Sequence, residues 1–138
     1  MNNNINGIGK EYDYDGKLKY EGEYKNGQRN GKGKEYYKNG KLLFEGEYLY
    51  DRKWIGKGYD ESDNIIYEIN NGKGIIKEYY DDGQLEYEGE YLNGKRNGKG
   101  KEYYDNGQLK FEGEYLYDDK IKGKFYVYEK LEYEGEYL

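Results

Sequence analysis

The stretch YEGEYKNGQRNGKGKEYY at residues 20–37 recurs almost unchanged as YEGEYLNGKRNGKGKEYY at residues 87–104. Shorter and less perfect copies lie before, between and after these two. A motif that returns at a regular interval indicates a repeat protein, whose architecture follows from the repeat rather than from any single residue. A residue that recurs in every unit is therefore more often part of the scaffold than of an active site.

The spacing of this motif predicts about six units. Its central glycine recurs after 24 residues in two neighbouring pairs, whereas 43 residues separate the second copy from the third: Gly22, Gly46, Gly89, Gly113 and Gly135. A gap of almost two periods predicts a degenerate unit near 66–74. The sequence thus predicts a short tail, 1–6, and one repeat domain, 7–138, with units near 7–24, 31–48, 56–69, 72–91, 98–115 and 122–137.

Each unit is typical of a β-hairpin. In residues 18–24, apolar or small residues alternate with charged ones, which is the pattern of a strand with one covered face. Glu21 and Glu23 then point to the opposite, solvated face. We predict an all-β fold of about six tandem antiparallel β-hairpins, stacked in a single elongated twisted sheet or open solenoid. At roughly 4.8 Å per strand, about 12 strands extend over about 55 Å.

Two kinds of turn join the predicted strands, and their lengths determine the register. Asn39-Gly40 and its equivalents suit a two-residue type I′ turn, whereas a longer turn such as Asn26–Asn30 follows the next strand. A two-residue turn places Tyr37 opposite Leu42 and glycine opposite glycine. A three-residue turn places Tyr36 there instead and moves every side chain of that strand to the other face. Turn chemistry favours the first alternative, but the replacement of Tyr37 by acidic residues in two units favours Tyr37 as the more exposed ring.

Composition limits both the core and the partners. The chain has 22 Tyr and 22 Gly among 138 residues and no Cys, His, Pro, Ala or Thr, so tyrosine rings must provide most of the apolar area. A formal charge of −6 disfavours nucleic acid and anionic membranes, and the only modest basic clusters surround Arg29 and Arg96. No apolar run approaches the ~20 residues of a membrane span, and residues 1–6 lack a signal peptide's apolar segment. We predict a soluble, cytoplasmic protein.

The residue types that catalysis needs are missing. Without Cys or His there is no thiolate, no imidazole base and no zinc site, and Ser62, the single serine, lies in a predicted turn. Residues 60–64 resemble a calcium loop only superficially, because its glycine and terminal glutamate are absent, and we predict a hydrated turn. Gly31–Gly33 opens a strand with no helix behind it, which argues against a phosphate loop. The sequence predicts a protein that is not an enzyme and has no metal or other cofactor.

The spacing of these residues resembles the MORN repeat (membrane occupation and recognition nexus). The family pattern, Tyr-x-Gly-x-Tyr followed by Asn-Gly and Gly-x-Gly, is complete in 20–33 and 87–100 and partial in 44–58 and 111–123. The Lys-Glu-Tyr-Tyr strands resemble a variant subfamily, some members of which are antitoxin-like. The resemblance implies successive antiparallel hairpins in one long, groove-like sheet.

An aromatic stripe and one tryptophan are the candidate binding residues. Trp54, which comparison of the units places in an irregular turn, is either a partner-contacting anchor or a filler beneath the degenerate unit. The rings suit protein recognition, but they also replace a missing core. The stripe occupies equivalent positions in successive units: Tyr20, Tyr24, Phe44, Tyr48, Tyr87, Tyr91, Phe111 and Tyr115, followed by Tyr133 and Tyr137.

These features predict a non-catalytic scaffold that binds a protein partner along an aromatic groove. One alternative is a phospholipid-binding module at a membrane surface, which the resemblance suggests and the net charge disfavours. Another is an antitoxin-like neutralising protein. The outer strands, near 7–13 and 132–138, present open edges and predict homotypic association.

Overall fold

Twelve antiparallel strands form one sheet in the computed structural model, which describes residues 6–137. Every strand pairs with its neighbours in the chain, so the spatial order is the sequence order. The predicted all-β fold of stacked hairpins is confirmed. The strands are β1 Gly7–Tyr12, β2 Leu18–Lys25, β3 Gln28–Tyr36, β4 Leu42–Leu49, β5 Arg52–Tyr59, β6 Ile65–Asn70, β7 Lys73–Tyr79, β8 Leu85–Leu92, β9 Lys95–Tyr103, β10 Leu109–Leu116, β11 Asp119–Val127 and β12 Lys130–Glu136.

A column of glycines crosses the strands near their middle. In the degenerate unit Ile69 and Ile76 interrupt the column, where they pair with the flanking glycines. The column therefore has two blocks, one in each half of the sheet. Its members are Gly9, Gly22, Gly33, Gly46 and Gly56 in the first block and Gly89, Gly100, Gly113, Gly123 and Gly135 in the second.

Aromatic rings lie over this column and form the core. A Cβ atom placed on Gly33 would come within 2.6 Å of the Tyr20 ring, and one on Gly100 within 2.6 Å of the Tyr87 ring. The glycines therefore make room for the rings, and the sheet buries apolar area against its own backbone. The rings with no exposed surface are Tyr20, Phe44, Tyr87 and Phe111.

The two kinds of turn are the reverse of those predicted. Asn26-Gly27 forms a two-residue type I′ turn, with φ of 52° and 79°, so the longer turn predicted over Asn26–Asn30 is wrong. At the other end of the hairpin, Gly40 has positive φ and Asn39 does not. There the Gly40 N–H donates to the Tyr37 carbonyl and the Tyr37 N–H to the Lys41 carbonyl, which makes a three-residue turn. Asn-Gly occurs at both ends of the hairpins, so the dipeptide alone did not distinguish the two-residue turn from the three-residue turn.

A β-bulge compensates for the extra turn residue. Leu43 is inserted in β4, so Glu35 pairs with Phe44 whereas Tyr36 pairs with Leu42. The extra residue in the turn and the extra residue in β4 shift the register in opposite directions, so the rest of the two strands pairs as it would with a two-residue turn. Glycine therefore faces glycine, as the two-residue alternative predicted, although Tyr36 faces Leu42, as the three-residue alternative predicted.

Tyr37 is the buried member of the tyrosine pair. It is 6% exposed, whereas Tyr36 is half-buried, so the expectation that Tyr37 is the more exposed ring is wrong. The Tyr37 hydroxyl donates to the Tyr59 carbonyl of the next hairpin at 2.6 Å, and this hydrogen bond keeps the ring buried. Two later tyrosines make the same bond: Tyr80 to the Tyr103 carbonyl and Tyr104 to the Tyr126 carbonyl.

The degenerate unit bends the sheet. Strands β6 and β7 pair at two positions beside their turn and diverge beyond it. Across the bend, Lys19 on β2 forms an ion pair with Asp81, just after β7, at 3.3 Å, and the Tyr37 and Tyr79 ring centroids are 5.6 Å apart. On a flat sheet β2 and β7 would be about 24 Å apart. The two halves of the sheet therefore curl toward each other.

We expect Gly46→Ala to lower the free energy of unfolding by about 3 kcal/mol, because the new Cβ would overlap the Ile55 carbonyl of the paired strand. Gly40→Ala is the matched control. A Cβ on Gly40 meets nothing within 4 Å, so only its φ of 87° is unfavourable, and the expected loss is about 1 kcal/mol. Urea unfolding measures both values, and equal losses would contradict the proposed role of the glycine column.

Candidate functional site

The aromatic stripe is the core of the glycine face. Ring edges pack on ring faces: Tyr20 and Tyr48 have centroids 5.2 Å apart, and Tyr87 and Tyr115 have centroids 5.4 Å apart. Tyr24 and Tyr91 are half-buried. A partner cannot reach the buried rings without opening the sheet. The rings that are at most 3% exposed are Tyr20, Phe44, Tyr48, Tyr87, Phe111 and Tyr115.

Four carboxylates on the ring face were missed in the sequence. They belong to the Lys-Glu-Tyr segment, and the register places Glu35, for example, opposite both Tyr20 and Phe44. Each carboxylate accepts a hydrogen bond from a tyrosine hydroxyl 13 residues further along the chain, and this constant separation is the signal that would have found them. The pairs are Glu11 with Tyr24, Glu35 with Tyr48, Glu78 with Tyr91 and Glu102 with Tyr115.

Arginines cover two of the buried tyrosine rings. The guanidinium carbon of Arg29 lies 4.1 Å from the Tyr20 ring centroid. Its nitrogens donate to both oxygens of Glu11, at 2.8 and 2.9 Å, and to Glu35 at 3.0 Å. Arg96 lies in the same way over Tyr87, with its bidentate contact to Glu78. The planar, forked guanidinium can stack on a ring and join two carboxylates at once.

Lysines cover the two buried phenylalanine rings. The ammonium of Lys53 is 5.1 Å from the Phe44 ring centroid and 3.8 Å from Glu35. Lys120 is 5.3 Å from the Phe111 centroid and 3.1 Å from Glu102. Each half of the sheet therefore carries an alternating line of carboxylates and cations above its rings.

This network favours the ionised form of Glu11, Glu35 and Glu102, whose pKa values it lowers. The hydrogen bonds from Arg29 lower the pKa of Glu11. Burial on its own would raise the pKa of Glu35, but the charges of Lys53 and Arg29 and the hydrogen bond from Tyr48 lower it overall. At neutral pH these groups are structural ion pairs, and nothing in their arrangement prepares them to exchange protons with a substrate.

Two units depart from the network. In the degenerate unit Gly58 occupies the position of the glutamate, and Asn71, 13 residues further along, occupies that of the tyrosine, so both partners are lost together. In the last unit Phe125 occupies the glutamate position, whereas Tyr137 is kept. The buried Tyr137 hydroxyl consequently has no hydrogen-bond partner among the residues that the structure describes.

Trp54 lies within β5, so its predicted placement in a turn is wrong. The turn consists of Tyr50 and Asp51, whose φ values of 48° and 69° are those of a type I′ turn. The half-buried Trp54 ring packs on Gly72 and Gly94 of two later turns, and the Gly72 N–H donates to the Trp54 carbonyl at 2.8 Å. This position agrees with the second alternative for Trp54, in which its ring fills space beneath the degenerate unit.

The opposite face carries alternating Glu and Lys side chains. In the second half one row runs Lys77, Glu88, Lys101, Glu112, Lys124 and Glu134 across the paired strands, and a second row runs Lys99, Glu114, Lys122 and Glu136. Between the rows lies a groove of about 940 Å³, lined also by the second block of glycines, with Ile66 and Ile75 on the side of the bend. We call this surface the Glu/Lys groove.

The acidic segment 60–64 forms a turn, as predicted. The Asp60 carboxylate accepts the backbone N–H groups of Ser62 and Asn64, both at 2.9 Å. Within residues 6–137, no group of three or more acidic side chains is placed to hold a metal ion. Over the same residues, no helix has the length and apolar character needed to cross a membrane.

The stacked hairpins define a β-repeat protein, and comparison with known families matches both halves of the sheet. The MORN repeat family matches residues 20–41 and 87–109, and the MORN repeat variant matches 5–26 and 73–93. These matches cover more than half of the chain, which belongs to the MORN repeat family. MORN repeats are generally protein or membrane-lipid interaction repeats and are typically non-catalytic. No curated protein matches the chain.

We expect Tyr115→Phe to lower the free energy of unfolding by about 2 kcal/mol, because it removes a hydrogen bond to the ionised Glu102. Tyr137→Phe is the matched control, since it removes a buried hydroxyl for which residues 6–137 provide no hydrogen-bond partner. The control should leave stability unchanged or raise it in urea unfolding of the dilute chain. A larger loss for Tyr137→Phe than for Tyr115→Phe would contradict this account.

We also expect stability to fall on both sides of neutral pH. The lowered pKa of Glu35 stabilises the fold above the ordinary glutamate pKa of 4.5, and this contribution is lost as pH falls through the folded pKa. Burial raises the pKa of Tyr20, Tyr36 and Tyr103 from 10.0 to about 12, so their contribution is lost as pH rises from 10 toward 12. Thermal unfolding across pH, with tyrosinate absorbance alongside, tests this. Ionisation of all 22 tyrosines near pH 10 in the still-folded chain would contradict it.

Proposed function

We propose that the chain is a non-catalytic scaffold that binds a polypeptide segment of a protein partner in the Glu/Lys groove. The observation that carries the proposal is the groove itself, which has a volume of about 940 Å³ on the sheet face not occupied by the core. The sequence pointed to an aromatic groove. We move the proposed contact surface to the opposite face because the rings are buried.

The groove's charges are available to a partner. Side chains of the pairs Lys122–Glu114 and Lys124–Glu134 are 41–58% exposed, at N–O distances of 3.1 and 3.9 Å. Ion pairs this exposed contribute only about 0–1 kcal/mol, so a partner can exchange them for its own charges at small cost. Regular alternation of sign also favours a partner with complementary alternation over one with a single sign of charge.

The alternating charges favour a polypeptide over a lipid surface or a nucleic acid. Both of those are polyanions, and they reward a cluster of unpaired cations. Arg29 and Arg96, which centre the two basic clusters of the sequence, lie in ion pairs on the ring face. An antitoxin-like role would be one case of partner binding, with the toxin as the partner. Ile66 and Ile75 suit an apolar residue of the bound segment.

Affinity capture with paired charge reversals tests the proposal. We expect Lys101→Glu with Lys124→Glu to abolish capture of a partner that the unmodified chain retains. The matched control is Lys34→Glu with Lys57→Glu, at equivalent positions of the first half, outside the groove. Each pair adds the same like-charge neighbours on the same kind of strand, so the two variants should lose similar stability and only the first should lose the partner.

Three further results would count against the Glu/Lys groove. One is equal loss of capture in both charge-reversal variants, and another is co-sedimentation of the chain with phosphatidylserine vesicles but with no protein. The third is loss of capture in Trp54→Ala with the groove intact, which would support the sequence-derived tryptophan anchor instead.

A further inference from the structure

The two outer strands of the described sheet are complementary in type. Strand β1 has the sequence pattern of β3 and β9, and β12 has that of β2 and β8. Inside the sheet these two types pair with each other, as β2 with β3 and β8 with β9. We propose that β12 of one copy pairs with β1 of a second copy in this same antiparallel register, so that copies associate head to tail. The proposal does not depend on the Glu/Lys groove having a partner.

Strand β1 already has the backbone shape of a strand that receives this partner. Gly7 has φ of 102°, and its equivalents Gly31 and Gly98 both have φ of 100°. At Gly31 the backbone bulges opposite Glu23, whose carboxylate accepts the Lys32 N–H at 2.6 Å. Glu90 and Lys99 repeat this contact at 2.7 Å. Gly7 keeps the bulged conformation although, among residues 6–137, no strand lies on that side of β1.

The register of β2 with β3 brings opposite charges together across the proposed interface. It places Glu134 opposite Lys10 of the second copy, and Gly135 opposite Gly9. The Glu/Lys row of one copy ends at Glu134, and that of the next begins at Lys10, so the alternation continues without a like-charge pair. Glu136 corresponds to Glu23 and would accept the backbone N–H at the bulge beside Gly7.

The ring packing at the two edges differs from the packing inside the sheet. Tyr133 is 45% exposed, whereas its equivalents Tyr20 and Tyr87 have no exposed surface. Inside the sheet Tyr20 covers Gly33 of the following strand, but at the edge Gly9 is approached by Tyr24 of its own hairpin, within 2.7 Å of a Cβ position. In the proposed pairing the Tyr133 ring would displace Tyr24 from Gly9 of the second copy and lie there as Tyr20 lies on Gly33.

The unpartnered hydroxyl of Tyr137 lies at the same edge. In β2 the corresponding Tyr24 donates to Glu11 of the preceding strand, and Glu35 lies on the following strand. In β12 the inner side has Phe125 instead. The proposed register places Glu11 of the second copy on the open side, opposite Tyr133, as Glu35 lies opposite Tyr20 inside the sheet.

This pairing joins two different edges, so it does not close on itself. A head-to-tail contact of this kind extends into a series of oligomers, whereas pairing of β12 with β12 would stop at a dimer. The main-chain hydrogen bonds of an added strand supply affinity, and the alternating side chains supply register.

Engineered cysteines test the register, because the chain contains no Cys. Lys10→Cys and Glu134→Cys are made as separate variants, mixed in equal amounts and oxidised. Directly opposed residues on antiparallel strands have Cβ atoms about 5 Å apart, within reach of a disulfide after small adjustment. We expect a disulfide-linked species of twice the 16.5 kDa chain mass, severalfold more abundant than in the control mixture of Lys10→Cys with Glu136→Cys, two residues out of register.

Light scattering of the unmodified chain gives an independent readout. We expect its mean mass to rise steadily with concentration beyond that of a dimer. The proposal is overturned by a constant monomer mass, by a mass that stops at a dimer, or by cross-linking that is as efficient in the control mixture or in either variant alone. Circular dichroism of each variant establishes that it is folded.

Discussion

Packing of an aromatic ring against glycine on its own sheet is the interaction on which the rest of this structure depends. Most sheets bury one face under a second layer of helices or strands. Here Tyr20 and its equivalents lie over the glycine column, and any Cβ on Gly33 or Gly100 would occupy the space of a ring. The backbone itself is one wall of the core. A chain with 22 Gly and 22 Tyr can therefore fold although it has little Leu, Ile or Val.

The other wall of the core is ionic. Arg29 and Lys53 lie over the rings of Tyr20 and Phe44, and the carboxylates between them accept hydroxyls from neighbouring tyrosines. Cations and carboxylates shield the rings from water as a second layer would, and each ion is paired and hydrogen-bonded, which buried charges require. Tyrosine suits this arrangement better than phenylalanine, because its hydroxyl reaches the ions while its ring stays on the glycines.

The degenerate unit gives the otherwise regular sheet its shape. Ile69 and Ile76 replace glycines of the column, and Gly58 and Asn71 replace one carboxylate and its tyrosine together. Strands β6 and β7 diverge, and the Trp54 ring packs on glycines of two later turns. The two halves of the sheet curl toward each other, and Lys19 forms an ion pair with Asp81. The ring faces of the two halves turn toward each other, and the opposite face of the second half carries the Glu/Lys groove. Departures from the repeat thus determine the geometry on which a partner would bind.

The sequence by itself determined the strands, their order and the two faces, because a period of two and a repeat of about 24 residues are local properties of the chain. It did not determine which turn is tight, whether Tyr36 or Tyr37 is buried, or that Glu35 lies among the rings. Those outcomes depend on the bulge at Leu43, which shifts one strand against its neighbour. Bulge placement is decided by the packing of rings from several strands at once, and only the tertiary structure contains that information.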